Sequence, residues 1–379
     1  MSEPLLHPEP VASTGPRQFP CSQCGASLTF AVGTTHLVCS YCQQSNAIPL
    51  EAAPIHELDY QDHLGRLAEE ADTELVVTVS CDGCAAQISS QDQEVGGATA
   101  FDCPFCGHAI NTQGQSRRQI RPRSLLPFAV RPEQARDAFR QWLKSRWFLP
   151  SKLARRGRQH KQLTGVYLPY WTYDANTSSN YTGQRGDHYW VTKHYTTRVN
   201  GKNVRKTQRV RKTRWRSASG RVAVSFDDVL VLASTTLPPE LTDRLEPWDL
   251  SDLVPFDAAF LAGFRAEVYQ ADLAQGFSDA RIKMEPAIRA SICRDIGGDK
   301  QRIHNVSTEH SDVTFKHLLL PVWSSAFRWN NRVFRFVING QTGEVQGERP
   351  YSPWKIAGAG ALALVAVGVV VGFLALASS

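Results

Sequence analysis

The sequence predicts an α+β multidomain chain: two N-terminal zinc ribbons, a central α+β domain with a degenerate internal repeat, and one C-terminal transmembrane helix. Three observations carry this. Eight of the nine cysteines fall into four C-x-x-C pairs; the final segment holds 21 residues without a charge; and an order of apolar-Pro-Phe, helix and Leu-Pro-aromatic strand occurs twice in between. The 379 residues suffice for two or three folded units at roughly 150 residues each, and 42% apolar content allows a sizeable core.

The N-terminal leader, residues 1–18, is proline-rich, lacks a basic stretch followed by an apolar one, and reads as disordered rather than as a signal peptide. The first ribbon spans 19–50 and pairs Cys21 and Cys24 with Cys39 and Cys42 across 14 residues. The second spans 75–113 and pairs Cys81 and Cys84 with Cys103 and Cys106 across 18. Two thiolates from one tight knuckle reach the same ion, and two knuckles complete the tetrahedral S₄ shell that Zn²⁺ favours in closed structural sites. Gly25 and Gly107 follow the second cysteine of their pairs, where a knuckle turns sharply. A redox C-x-x-C at the start of a helix and an iron–sulfur cluster are the rival readings, but four pairs are excessive for the first. With four cysteines per shell, no position is left for a catalytic water, and His36 and His108 stay outside the ligand set. The expected cofactor is two structural Zn²⁺ ions. Paired cysteines of this kind suit a reducing compartment, and the ninth, Cys293, reads as a buried free thiol on a helix.

Residues 51–74 read as a polar helical spacer between ribbons, and 114–124 as a basic linker. The duplicated α+β domain covers 125–348. In its first half "LLPF" leads to a helix through Ala135, Ala138, Phe139, Trp142 and Leu143 at amphipathic spacing, then to the strand "LPYW". In its second half "LVPF" leads to an expected helix through Phe260, Phe264 and Val268, then to "LPVW". A proline suits a strand start or edge.

Inside this domain, residues 188–221 predict a basic hairpin turning at Asn200-Gly201, a type I′ signal. It carries Lys193, Arg198, Lys202, Arg205, Lys206, Arg209, Arg211, Lys212, Arg214, Arg216 and Arg221 with no acid among them. Neither face stays apolar, so the hairpin belongs on the surface. A ligand-free solvated hairpin, anionic lipid headgroups at ~1 kcal/mol per basic residue, nucleic-acid phosphates with Trp190, Tyr195 and Trp215 for stacking, and an acidic protein partner all fit.

Residues 349–355 form a juxtamembrane stretch and 356–376 a tail anchor. Twenty-one residues at ~1.5 Å rise cover roughly 31 Å, the thickness of a hydrocarbon core. Tyr351, Trp354 and Lys355 sit where interfacial residues belong. Arg349 and Lys355 precede the span and nothing positive follows, which places the N-terminal bulk in the cytoplasm against the inner membrane. Gly368 and Gly372 give a G-x-x-x-G spacing that lets two helices approach as a homo-oligomer. Walker A, H-E-x-x-H and G-x-S-x-G motifs are absent, and no nucleophile has an identifiable base; the sequence reads as non-enzymatic.

The four pairs beginning at Cys21, Cys39, Cys81 and Cys103, the "LPYWTYD" and "LPVWSSAF" segments, and the terminal span together resemble a group of bacterial membrane-anchored proteins with paired zinc ribbons of TFIIB type, some labelled helicase-like. The helicase label rests on the ribbons alone, since the motor motifs are missing here. The resemblance implies an adaptor that recruits an SPFH (flotillin-like) scaffold to the membrane, and it transfers no catalytic residue. The competing function is a membrane-tethered nucleic-acid binder using the basic hairpin and the zinc ribbons.

Overall fold

The computed structural model of the chain describes residues 19–49, 55–67, 73–89, 98–150, 163–199, 202–329, 332–348 and 351–377. The leader 1–18 lies outside them. Strands β1 (Leu28–Phe30), β2 (His36–Cys39) and β3 (Ser45–Ala47) form a small antiparallel sheet around the first cysteine module. Then come β4 (Leu58–Asp59) and helix α1 (Tyr60–Leu67), whose first turn is capped by the Asp59 carboxylate accepting from the Asp62 amide at 2.7 Å. A helix thus lies between the two modules, as expected, and it also packs on the body. Tyr60 and His63 are buried, Tyr60 packing on Phe277 and His63 edge-on against Phe315.

The second module is built on β5 (Thr73–Ser80), β6 (Gln87–Ser89), β7 (Ala98–Asp102) and β8 (Ala109–Gln113). The expected basic linker is a correction: 115–125 holds β9 (Gln115–Ile120) and β10 (Ser124–Leu125). β9 covers the free edge of β5 from Thr73↔Ile120 to Thr78↔Gln115. Its cations stay outside, Arg117 donating to Gln87 at 2.8 Å and Arg121 pairing with Glu74 at 3.0 Å. A strand edge demands backbone partners whatever its side-chain charge.

Helix α2 (Pro132–Ser145) follows the predicted periodicity. Proline stands in its first turn, Gln134 accepts from the Arg131 amide at 2.8 Å, and Ala135, Phe139 and Leu143 are buried. Phe139 stacks on Phe336 with ring centroids 3.8 Å apart. Next come two very long strands, β11 (Thr164–Val199) and β12 (Lys202–Leu232). After short helical turns and β13 (Val254–Pro255) comes a second correction. Residues 258–268 form a 3₁₀ turn, Ala258–Leu261, and strand β14 (Arg265–Glu267), not a helix. Gly263 at φ +85° breaks the chain between them. Phe260 packs on Phe30 of the first module, and Phe264 stacks on Phe128 at 4.4 Å while also meeting Phe30 edge-on.

The helix of the second half is α3 (Leu273–Ile296), capped by Asp272 accepting from Gln275 at 2.8 Å and ended by Gly297 at φ +64°. Leu273, Gly276, Ala280, Met284, Ile288, Ile292 and Ile296 line its buried face. Cys293, off that line, is half-buried rather than buried. A β-carbon at Gly276 would lie 2.5 Å from the Tyr173 hydroxyl and 2.7 Å from Trp171, so glycine lets the helix lie close on the sheet. Tyr173 donates to the Leu273 carbonyl at 2.7 Å and Trp171 to that of Ala271 at 3.0 Å. The chain ends with β15 (Lys300–Trp329), β16 (Arg332–Asn339), β17 (Val345–Gly347) and helix α4 (Pro353–Ala377).

β11 and β15 run antiparallel through the centre, with Leu168 opposite Leu320, and β12 and β16 flank them. At its N-terminal end β11 also pairs with β14, which pairs with β6. The second module thereby contributes β5 and β6 to the central sheet, while β7 and β8 pair only with each other. The first is tied on through the Phe30 amide to Ala262 and the Gly33 amide to Phe128, at 2.9 and 2.8 Å. Each module shares a buried apolar cluster with the central domain.

Candidate functional site

All four C-x-x-C pairs form the same knuckle. The amide of the residue after the second cysteine bonds back to the carbonyl of the first at 2.7–3.0 Å: Gly25 to Cys21, Gln43 to Cys39, Ala85 to Cys81, Gly107 to Cys103. Those four residues have φ of +72°, +60°, +60° and +66°. The sequence flagged only the two glycines. Gln43 and Ala85 adopt the same left-handed conformation despite a β-carbon, a cost of order 1 kcal/mol or more that surrounding structure must offset.

The knuckles bring the sulfurs together. Cys21 and Cys42 Sγ lie 3.6 Å apart, Cys24 and Cys39 3.5 Å, Cys81 and Cys106 3.5 Å, Cys84 and Cys103 3.6 Å. Within each set the four Sγ atoms lie within 4.8 Å of one another. A disulfide needs about 2.05 Å. A tetrahedral thiolate shell with metal–sulfur bonds of ~2.3 Å has edges of about 3.8 Å. Both clusters could hold a metal ion, and the donor set fits a soft or borderline cation.

The electrostatics agree. Backbone amides of Gln23 and Cys24 hold the Cys21 thiol down to about 6. The Cys103 thiol bonded to Cys84 lowers Cys84 to about 5, while Cys103, holding that shared proton and desolvated, is pushed far up. Burial raises Cys106 to about 12. Without added positive charge the four sulfurs of a cluster cannot all ionise, so filling a cluster must expel protons, and acid must oppose it.

The basic hairpin is the second feature. β11 and β12 pair without interruption from Ala175↔Phe226 to Val199↔Lys202, and residues 200–201 lie outside the described residues. β15 accompanies β11 only as far as Gly186↔Lys300; from Asp187 onward the arm is a two-stranded ribbon. Cross-strand partners share a face, and the register sorts the side chains. One face carries Trp190, Thr192, His194, Thr196 and Arg198 opposite Arg211, Arg209, Thr207, Arg205 and Asn203. The other carries Tyr189, Val191, Lys193, Tyr195 and Thr197 opposite Lys212, Val210, Gln208, Lys206 and Val204. Arg198, Arg205, Arg209 and Arg211 share the first face and Lys193, Lys206 and Lys212 the second, which Arg214, opposite Asp187, joins. Arg214, at its base, lies over Tyr189 with its guanidinium 5.1 Å from the ring centroid. Arg209 lies over Trp190 at 5.6 Å. Arg216 and Arg221 are exposed in the three-stranded stem, where Arg221 donates to Ser178 at 2.5 Å. Trp215 is half-buried with Arg302 over its ring at 4.0 Å, which leaves Trp190 and Tyr195 as the exposed rings of the predicted stacking set.

At the opposite end of β11, Val166 pairs with Val322, which pairs with Asn339 of β16, and β17 leads into α4. From Val166 to Arg198 the strand runs on the order of 100 Å at ~3.3 Å per residue. Among the described residues, α4 is the one helix long and apolar enough to cross a membrane, over Pro353–Gly372. Trp354 and Tyr351 are exposed at its start. Lys355 instead folds back, its Nζ donating to the carbonyls of Trp147 and Leu149 at 3.1 and 2.9 Å.

The architecture is thus a mixed α/β body with two Cys₄ clusters, a projecting cationic ribbon and one apolar C-terminal helix. The chain is similar to YdjG of Bacillus subtilis (strain 168), an uncharacterized protein, with 28% identity over 250 residues covering 63% of this chain and 66% of YdjG. It therefore matches just under two thirds of that relative's length. No family model and no solved structure matches.

Proposed function

We propose that the chain is a non-enzymatic adaptor, held at the cytoplasmic face of the inner membrane by α4, whose two cysteine clusters are zinc ribbons carrying structural Zn²⁺. The carrying observation is that each cluster gathers the sulfurs of all four of its cysteines within 4.8 Å of one another, in a body whose apolar terminal helix is unburied over Pro353–Gly372. Such shells brace a fold rather than activate water, and the exposed helix requires an apolar phase. The matching order of short strand, helix, long strand and return strand in the two halves, with Leu168 opposite Leu320, supports reading the central domain as a duplication. The resemblance to paired-ribbon membrane proteins suggests a flotillin-like scaffold as the recruited partner.

Affinity purification of the detergent-solubilised chain is expected to recover a specific membrane-associated protein, and deletion of 356–376 to move the chain into the soluble fraction and lose that protein. Recovery of the intact chain from the soluble fraction, indifferent to the deletion, would sink the anchor. Absence of any specific co-eluting protein would sink the adaptor.

The segregation of Arg198, Arg205, Arg209 and Arg211 on one face favours a second reading, polyanion binding. Same-face residues step by about 6.8 Å, twice the ~3.4 Å rise per phosphate of one nucleic-acid strand. Replacing Arg205, Arg209 and Arg211 by Gln is expected to flatten the log–log salt dependence of nucleic-acid binding by up to about three. An unchanged slope would remove the arm from that role.

A further inference from the structure

Large aromatic side chains are exposed in few places among the described residues. Tyr41 stands alone, and Tyr189, Trp190 and Tyr195 belong to the ribbon. The remaining four gather at one place: Trp147 and Phe148 just after α2, and Tyr351 and Trp354 at the start of α4, with exposures of 67, 37, 55 and 86%. Single exposed aromatics are ordinary; four on two adjoining segments are not.

The two segments are bonded to one another. The Ser352 amide donates to the Phe148 carbonyl at 2.8 Å. Lys355 donates to the carbonyls of Trp147 and Leu149, while Leu149 itself is buried in the main core. The Trp147 and Phe148 rings lie 5.4 Å apart, tilted and uncovered. A loop of the folded body is therefore fastened to the first turn of the apolar helix, with both presenting aromatic rings outward. The lysine is spent on backbone carbonyls of the loop that follows α2.

We infer that Trp147, Phe148, Tyr351 and Trp354 form an aromatic foot that seats the folded body on the headgroup–acyl boundary of the bilayer that α4 enters. The inference rests on α4 crossing that bilayer. The continuity of the patch with the helix names its occupant: a body joined within a few residues to a membrane span cannot hold Trp147 and Phe148 far from the lipid. Amphipathic rings partition to that boundary. The foot also makes the anchor a stapled support rather than a tether, so the direction of the cationic ribbon relative to the membrane is set by the fold.

The test uses the full chain in phosphatidylcholine vesicles, with lipids brominated either near the headgroup end of the acyl chain or near the bilayer centre. Flotation with the vesicles reports the span. The emission difference between wild type and Trp147→Phe isolates Trp147, a conservative change at an exposed site. The expected result is flotation of both proteins, with the Trp147 share quenched roughly threefold more by shallow than by deep bromine. Flotation with no bromine quenching of that share overturns the foot and leaves the anchor standing. Failure to float overturns the anchor and the foot with it.

Discussion

The paired substitution Cys81→Ser and Cys84→Ser is expected to remove one of two metal equivalents per chain and to abolish cooperative unfolding of the folded body. A structural thiolate site contributes on the order of 10–16 kcal/mol of apparent binding free energy, against a total stability of roughly 5–15 kcal/mol. The location of the second cluster spreads the damage. Its knuckles hold β5 and β6, and β6 pairs with β14, which pairs with β11 at the centre of the sheet. Cys81 and Cys103 share a buried cluster with Leu126, Val166 and Leu168. Cys21→Ser with Cys24→Ser removes the other equivalent, but β1, β2 and β3 form their own sheet, so its main loss is the cover over Phe260. Elemental analysis paired with near-ultraviolet circular dichroism melts distinguishes the two variants. A Cys81/Cys84 variant that keeps its metal and its melt would refute the metal assignment.

Beside that cluster sits a group the sequence did not single out. Glu267, on β14, is buried, with Oε1 accepting from the Thr236 hydroxyl and Oε2 lacking a hydrogen-bond partner among the described residues. Burial raises its carboxyl from the ordinary 4.5 to about 8. The sign follows from linkage. Between those values the folded chain keeps a proton that the unfolded chain gives up, so stability falls as pH rises from 4.5 through 8. At about 1.4 kcal/mol per unit the ceiling is about 5 kcal/mol. Glu267→Gln keeps the shape and the Thr236 hydrogen bond without the titration. Its melting temperature is expected to match wild type near pH 5 and to exceed it by several degrees at pH 8 or above. Both proteins retain the cysteine clusters, so a metal-linked pH effect cancels in the difference. Parallel curves across that range would mean the carboxyl is not held neutral.

Local rules carried much of this fold. The amphipathic spacing of Ala135, Phe139 and Leu143 identified α2 because a helix face repeats every three to four residues whatever lies beyond it. Asn200-Gly201 marked the break between the strands of the arm, which pair as far as Val199↔Lys202, and the cysteine spacing named the two sets of four sulfurs that come together. The reading failed where a neighbour decided. "PFDAAFLAGF" has helical spacing, yet Gly263 turns the chain and the rings of Phe30 and Phe128 hold its aromatics in a non-helical arrangement. "QGQSRRQI" is polar enough for a linker, yet the bare edge of β5 draws it into the sheet.

The sequence by itself determined the chemical inventory: eight thiols in four knuckles, a hairpin rich in cations, and an uncharged helix at the end. Each is a property of spacing or composition within a short stretch. Only the tertiary structure decided that the cysteine modules are bonded into one body with the central domain, that the register of β11 on β12 sets Arg198 on the face of Arg205, Arg209 and Arg211, and that Trp147 and Phe148 meet Tyr351 and Trp354. Those facts depend on strand register and on contacts between segments far apart in the chain. Backbone hydrogen bonding and the burial of aromatic surface choose among such partners, and both act across space rather than along the sequence.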